Sequence, residues 1–284
     1  MSTAFSTLPD LILEPMVRAA LMEDLGQNGD ITTRAVIPAE ATYAARLRAR
    51  EAGVVSGMQI ARIAFHLVDA GLKVDTLLPD GAPCQPGDVL MTIEGSAASI
   101  LSGERVALNF AGRLTGIATL TAAFVAEAKG TETRITCTRK TTPGLRIAEK
   151  QAVLHGGGYN HRFGLSDAIL IKDNHIAAAG GVRAVLEAAK ASVSHMMKVE
   201  IEVDTLAQLD DVLETGGADN VLLDNMDTPT LTQAVAMAKG QVQTEASGNM
   251  KLERIAEVAA TGVDYISSGA LTHSARTLDL GLDF

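Results

Sequence analysis

The chain has 284 residues, 47% of them hydrophobic, enough for one large packed domain or two smaller ones and not the composition of a disordered chain. Its 24 Lys and Arg stand against 34 Asp and Glu, a net charge of -10 with no basic run, so neither nucleic acid nor an anionic membrane is an expected partner. Cys84 and Cys137 lack metal-knuckle spacing, the opening "MSTAFSTLPD" lacks a leader pattern, and no apolar run approaches about 18 residues, so a soluble cytoplasmic protein with buried thiols is expected.

Residues 9 to 25 have helical spacing, with Leu11, Ile12, Pro15, Met16, Ala19 and Ala20 on the expected inner side and "LG" as the stop. "TYAARLRAR" alternates like a half-buried strand. Then come a helix over 57–70, a short strand over 72–78, the turn-rich "PDGAPCQPGD" and the strand "VLMTIEG". This half predicts helices with antiparallel strands. A long helical region from about Ser99 to Lys129, broken near "LTG", leads out of it.

From Arg134 the rhythm becomes strand, helix, strand, helix. The strands are "RITCTR", "AILIKD", "KVEIEV", "NVLLDN", "QTEAS" and "YISSG", and helical patterns such as "TLAQLDDVLETG" and "LERIAEVAATG" close on Gly. This repetition predicts a parallel sheet with crossover helices, a closed (β/α) barrel being favoured over an open sheet. No Gly-rich dinucleotide fingerprint follows any strand. The strand ends carry Thr138, Arg139 and Lys140; Lys172; Glu202; Asp224 and Asn225; Ser247 and Gly248; Ser268 and Gly269. Polar ends converging on one rim are what a barrel places at its catalytic face, although any single strand end is polar simply by being near the surface.

Between Arg134 and Lys172 lie Arg134, Arg139, Lys140, Arg146, Lys150, Arg162 and Lys172, opposed only by Glu149 and Asp167. A positive field inside an acidic chain points to a small anionic ligand. Lys198, Glu200 and Glu202 alternate with apolar residues and share one face of their strand, expected to point into the barrel. Glu202 and Asp224 on neighbouring strands form an oxygen pair suited to Mg²⁺ or sugar hydroxyls, or else pair with Lys140 and Lys172 as internal ion bridges. "EASGNM" and "ISSGA" are candidate phosphate loops, since Gly lets backbone amides approach a ligand. "HGGGYNHRFGLSD" reads as a flexible cap and linker or, given His161 and Arg162, as a frame for a carboxylate. His66 and His195 receive no role, and His155, His175 and His273 are read as structural or supporting.

"EDLG..GDITT", "REAGVVSG", "ERVALNFAGRLTGIAT", "TRKTTPGLR", "EKQAV", "GGGYNHRFGLSDAILIKDNH", "EVDTLAQL", "LLDNM", "EASG" and "TGVDYISSGALTHS" occur in the order and spacing of the quinolinate phosphoribosyltransferases. The chain resembles that family over nearly its whole length. Asn249 stands where the family usually has a second Gly, and Ser268 where a larger apolar residue is usual. The "KDNH" run at Lys172 to His175 separates it from a molybdenum-associated paralogous group.

The resemblance implies an N-terminal α/β sandwich over 1–113, joined by 275–284, and an incomplete seven-strand barrel over 114–274. It implies a pentosyltransferase of de novo NAD biosynthesis, joining quinolinate to phosphoribosyl pyrophosphate and releasing pyrophosphate and CO₂. Arg105, Arg139, His161, Arg162 and Lys172 would line the quinolinate pocket with Thr138, and Lys140 would stand between the two substrates. Glu202 and Asp224 would bind Mg²⁺ and ribose hydroxyls; Ser247, Gly248 and Asn249 with Ser268, Gly269 and Ala270 would hold the 5'-phosphate. Lys140, Glu202 and Asp224 would carry the chemistry, in a homodimer whose active site is shared between chains. The alternatives are a phosphoribosyltransferase for a monocarboxylate and a silent barrel that binds a phosphorylated anion.

Overall fold

The computed structural model describes residues 7–284. Most of the N-terminal stretch read above for a leader lies outside them. The elements are α1 (Asp10–Leu25), α2 (Ile31–Val36), β1 (Thr42–Ala49), β2 (Gly53–Val54), α3 (Met58–Val68), β3 (Lys73–Thr76), β4 (Pro83–Cys84), β5 (Val89–Ser96) and α4 (Ala97–Glu127). They continue with β6 (Arg134–Thr136), α5 (Arg146–His155), β7 (Ile169–Ile171), α6 (Asp173–Ala179), α7 (Val182–Ser192), β8 (Val199–Val203), α8 (Leu206–Thr215) and β9 (Asn220–Asp224). The last are α9 (Thr228–Ala238), β10 (Gln243–Ser247), α10 (Ile255–Ala259), β11 (Tyr265–Ser267), α11 (Ala270–His273) and β12 (Leu280–Asp283).

Among the described residues the chain forms two compact units. The first holds the residues up to Ala122 with Thr141–Gly157 and Leu271–Phe284; the second holds Ala123–Lys140 and Gly158–Ala270. These limits differ from 1–113 and 114–274, because contacts assign the middle of α4, α5 and α11 to the first unit.

In the first unit an antiparallel sheet runs β12-β1-β5-β3. β1 alternates as expected, burying Ala45, Leu47 and Ala49. Two expectations fail here. Helix α1 packs on α3 and buries Leu13, Val17 and Leu21, a strict i, i+4 stripe, each apolar side chain contributing about 2 kcal/mol; Leu11 and Ile12 of the expected inner face lie outside. Helix α4 runs unbroken through "LTG". Gly116 is there for close approach, since a Cβ on it would lie 1.8 Å from the Arg276 carbonyl oxygen of the C-terminal segment. One turn earlier the Gly112 carbonyl accepts from the Leu278 amide at 3.0 Å. The hydroxyls of Thr119 and Thr121 bond back to the carbonyls of Thr115 and Ile117 within the helix. α4 is apolar and long enough to pass for a membrane span, but it is mostly buried as a core helix.

In the second unit the six expected strands form one parallel sheet in the order β6-β11-β10-β9-β8-β7. Beyond β6 a single parallel bridge joins Tyr159 to Thr136, the remnant of a seventh strand that no apolar run announces. Curvature follows from one contact. In a flat sheet the Tyr159 segment and β8 would lie five strand spacings apart, about 24 Å. Yet His161 Nε2, two residues past that bridge, is 2.8 Å from Glu200 Oε2 on β8. The sheet therefore curls on itself as an incomplete barrel with Glu200 inside. Among the described residues no ladder joins the Tyr159 segment to β7.

Candidate active site

Parallel neighbours in register face the same way, and residues two apart on a strand share a face. Glu202 is level with Leu222, Asp224 with Ser247, and Glu245 with Leu222. Glu200, Glu202, Asp224, Glu245 and Ser247 thus share the inner face with the buried Glu200 marking the interior. Glu202 and Asp224 end adjacent strands, as the sequence predicts.

The inner ion bridge expected for this rim is present, because Lys172 Nζ pairs with Glu202. Asp224 accepts from the Asn225 side chain at 2.6 Å. Burial raises its pKa, the nearby Asp204 carboxylate adds to that, and Lys172, Asn225 and Lys140 oppose it. Asp204 was missed in the sequence, although its place two residues after Glu202 and just past a strand end was the available signal. Glu245 was missed too; a carboxylate within the predicted strand "QTEAS" was its signal.

The cations stand on connecting segments. Thr138 Oγ1 accepts from the Lys140 amide at 3.0 Å, turning the chain so that Arg139 and Lys140 follow β6 directly. Arg162 is half-buried, and its Nη1 donates to the Ala168 carbonyl at 2.8 Å. Its Nε is buried without a hydrogen-bond partner among the described residues. Burial lowers its pKa and the neighbouring Arg139 guanidinium lowers it further, against Asp167 and Glu200. A partly desolvated Arg162 guanidinium beside a second guanidinium is a candidate place for an anion. Asp167 holds the intervening turn by accepting from the amides of Phe163 and Gly164, at 2.6 and 2.8 Å.

His161 behaves differently from the cations. Its Nδ1 accepts from the Arg162 amide at 2.8 Å while its Nε2 faces Glu200, so both ring nitrogens are engaged inside the protein. His175 has the structural part expected of it: the Lys172 amide donates to its Nδ1 at 2.9 Å, closing the first turn of α6. That bond is the physical content of "KDNH". His155 likewise meets Ser56 Oγ, at 2.8 Å.

The ends of β9 and β10 interlock. Asn225 and Asn249 both have positive φ, 55° and 49°, and Asn249 takes the backbone form a Gly would take. Gly248 also has positive φ, and a Cβ there would lie 2.2 Å from Asn225 Oδ1, so only Gly fits beside "LLDN". Ser268 turns away from the expected phosphate role. Buried, it donates its hydroxyl to the Met250 carbonyl at 2.8 Å and accepts from the Ala270 amide at 3.3 Å, bracing the loop that carries Gly269. Its small size suits that bond. Arg105 is exposed on α4 in the first unit, whereas the other site residues lie in the second.

The family model described as "Quinolinate phosphoribosyl transferase, N-terminal domain" matches residues 30–115, and that for the C-terminal domain matches residues 117–283. The chain belongs to the quinolinate phosphoribosyltransferase family. It is 43% identical over 291 residues to quinolinate phosphoribosyltransferase [decarboxylating] 1b of Nicotiana tabacum, covering 96% of this chain and 83% of that one. It is 43% identical over 274 residues to the Mycobacterium leprae nicotinate-nucleotide pyrophosphorylase [carboxylating], covering 94% and 95% respectively. The crystal structure of NadC from Streptococcus pyogenes superposes with a TM-score of 0.94 at 40% identity, covering 98% of both chains. This family's two-domain order agrees with the antiparallel sheet followed by the curled parallel one.

Proposed function

We propose that the protein transfers the phosphoribosyl group of phosphoribosyl pyrophosphate to quinolinate and decarboxylates the product, giving nicotinate mononucleotide, pyrophosphate and CO₂. The observation that carries this reading is the half-buried Arg162 beside Arg139, two cations held together before any anion arrives. A dicarboxylate relieves that repulsion, and each of its carboxylates would cost several kcal/mol to desolvate if unpaired. Lys172 supplies a third cation at the end of β7, and Lys140 is close enough to Asp224 to act on its charge.

Positioning does most of the work. The guanidiniums hold the pyridine ring so that its nitrogen meets C1 of the ribose, and Glu202 and Asp224 accept from ribose hydroxyls. The C1–O bond to pyrophosphate breaks as the nitrogen–C1 bond forms, with Lys140 facing the charge that moves between the substrates. The ring, now cationic, then loses CO₂ from C2; the electron pair stays on C2 beside the positive nitrogen and is quenched by a proton.

Mg²⁺ fits this reading. Glu202, Asp224 and Asp204 are hard-oxygen donors; burial and then the Asp204 carboxylate raise the Asp224 carboxyl, and a divalent ion would offset both. Glu202 and Asp224 would hold the ion, which when bound neutralises charge on the departing pyrophosphate. The 5'-phosphate is assigned to the loop Ser247, Gly248 and Asn249 and to Gly269 and Ala270, with Ser268 as brace.

The family resemblance supports a cytoplasmic homodimer in which the exposed Arg105 of one copy completes the strand-end site of another. Arg105→Ala and Lys140→Ala proteins would each be nearly inactive; refolded together they should recover about a quarter of wild-type activity, by two-fold symmetry. A mixture as inactive as its components, with heterodimers seen by mass, overturns the shared site. The decisive assay for the activity is CO₂ release with phosphoribosyl pyrophosphate and Mg²⁺. Turnover of nicotinate but not quinolinate would reject the assignment.

A further inference from the structure

We propose that His161 is a neutral positioning residue, fixed in one tautomer by Glu200, which sets Arg162 and makes no ionic contact with substrate. The inference rests on the strand-end face being a dicarboxylate site and alters the part expected of His161 there.

The hydrogen bonds decide the protonation. Nδ1 accepts the Arg162 amide at 2.8 Å, so it presents a lone pair and carries no proton. Nε2 lies 2.8 Å from Glu200 Oε2, an acceptor, so it carries the proton. A second proton would set an N–H on Nδ1 against the Arg162 N–H. The imidazole therefore has no donor left for a carboxylate, and the ring offers the pocket only its C–H edge.

What it supplies is rigidity. Glu200 comes from the rigid strand β8, and only 6% of the residue is exposed. His161 transmits that position to the backbone of Arg162, Nη1 of Arg162 is tied to Ala168, and Asp167 holds the next two amides. The guanidinium is thus held by its own backbone and by the far end of its fork before substrate binds. The negative charge of Glu200 also favours the Arg162 cation through space.

The same cluster has another possible reading. Donor atoms of His161, Glu200 and Glu245 all lie within 4.8 Å of one another, a spacing that a divalent ion could bridge. The tautomer argues against it. A ligating imidazole ordinarily donates its other N–H, whereas here the other nitrogen accepts, and a metal on Nε2 would leave the ring with no proton.

Two measurements test this. In protein labelled with ¹⁵N-histidine, with His161 assigned from a His161→Asn variant, the ring at neutral pH should show one protonated and one bare nitrogen, both free and with quinolinate. Two protonated nitrogens in either state, or loss of the Nε2 proton on adding Mn²⁺ or Zn²⁺, overturns the proposal. In kinetics, Glu200→Ala should raise the quinolinate KM about tenfold while kcat changes less than about threefold. Glu200→Gln should restore KM to within about threefold, because its amide oxygen still accepts from Nε2 without any charge. If folded Glu200→Gln is as impaired as Glu200→Ala, the charge matters and His161 is a cation; if Glu200→Ala has no effect, Glu200 positions nothing. Wild-type protein that fails to release CO₂ from quinolinate refutes the activity, and the tautomer is then still read from the labelled ring.

Discussion

Replacing Arg113 by Met should unfold the first unit under conditions where the wild type is stable. The Arg113 guanidinium reaches Glu149 Oε1 through Nε at 3.2 Å and Nη2 at 2.9 Å, donates through Nη1 to the Ala275 carbonyl at 2.8 Å, and also bonds the Thr272 carbonyl. Glu149 is fully buried on α5, with Thr142 donating to it from its amide at 3.1 Å and its hydroxyl at 2.7 Å. One cation thereby joins α4, α5 and the returning C-terminal segment. In Arg113→Met the two Thr142 donors remain, but the carboxylate loses its counter-charge, and stripping one partner from a buried pair costs about 3–5 kcal/mol. In a chain of this size that is a fall in melting temperature on the order of 10 °C. Urea unfolding followed by circular dichroism of Arg113→Met, Glu149→Gln and the double variant gives the test. The double variant should be more stable than Arg113→Met alone, since a neutral Gln strands no charge. A loss below about 1 kcal/mol for Arg113→Met, or a double variant no better than the single, would show that Glu149 does not depend on this cation.

Arg162→Ala should mainly weaken quinolinate binding, by about 1.5–3 kcal/mol for a lost charged contact made in the ground state, while Lys140→Ala should lower kcat more than affinity. Equal effects on quinolinate KM in the two variants would show the roles to be misassigned. Gly116→Ala should destabilise despite the better helix propensity of Ala, by about 1–3 kcal/mol or more, because the colliding atom is the Arg276 backbone carbonyl; an unchanged melting temperature would contradict that packing. Asp30 caps α2, and its carboxyl is held below the ordinary carboxylate value by the Thr33 hydroxyl and amide. Its stabilisation is therefore present above the unfolded pKa near 3.9 and lost as pH falls through the lower folded value. Asp30→Ala should be about 1 kcal/mol less stable at pH 7, a gap that narrows below about pH 4; urea midpoints showing a gap that widens on acidification would reverse the sign.

Most strands of the second unit were legible because they are short runs rich in apolar residues closed by polar ones, although β10, "QTEAS", is largely polar, and local chemistry alone produces that pattern. The positions of Arg139, Lys172, Glu202 and Asp224 at or near strand ends, and of Arg162 in the Gly-rich connection, were legible for the same reason. Other features depended on partners far away in the chain. Leu11 and Leu13 are the same residue type two positions apart, and only the placement of α3 buries one and leaves the other exposed. "LTG" looks like a helix break until the chain more than 150 residues later crosses Gly116 and needs the space of its missing side chain. Tyr159 becomes strand-like through a single bridge to β6, too short to leave a periodic trace. His161 looks like one more cation in a basic loop. The curl of the sheet brings Glu200 from the far strand to its Nε2, and that contact, with the Arg162 amide on its Nδ1, makes it a neutral link. Sequence sets what each residue can donate or accept, but which donor meets which acceptor is set by the closure of the sheet, because hydrogen bonds act only over about 3 Å.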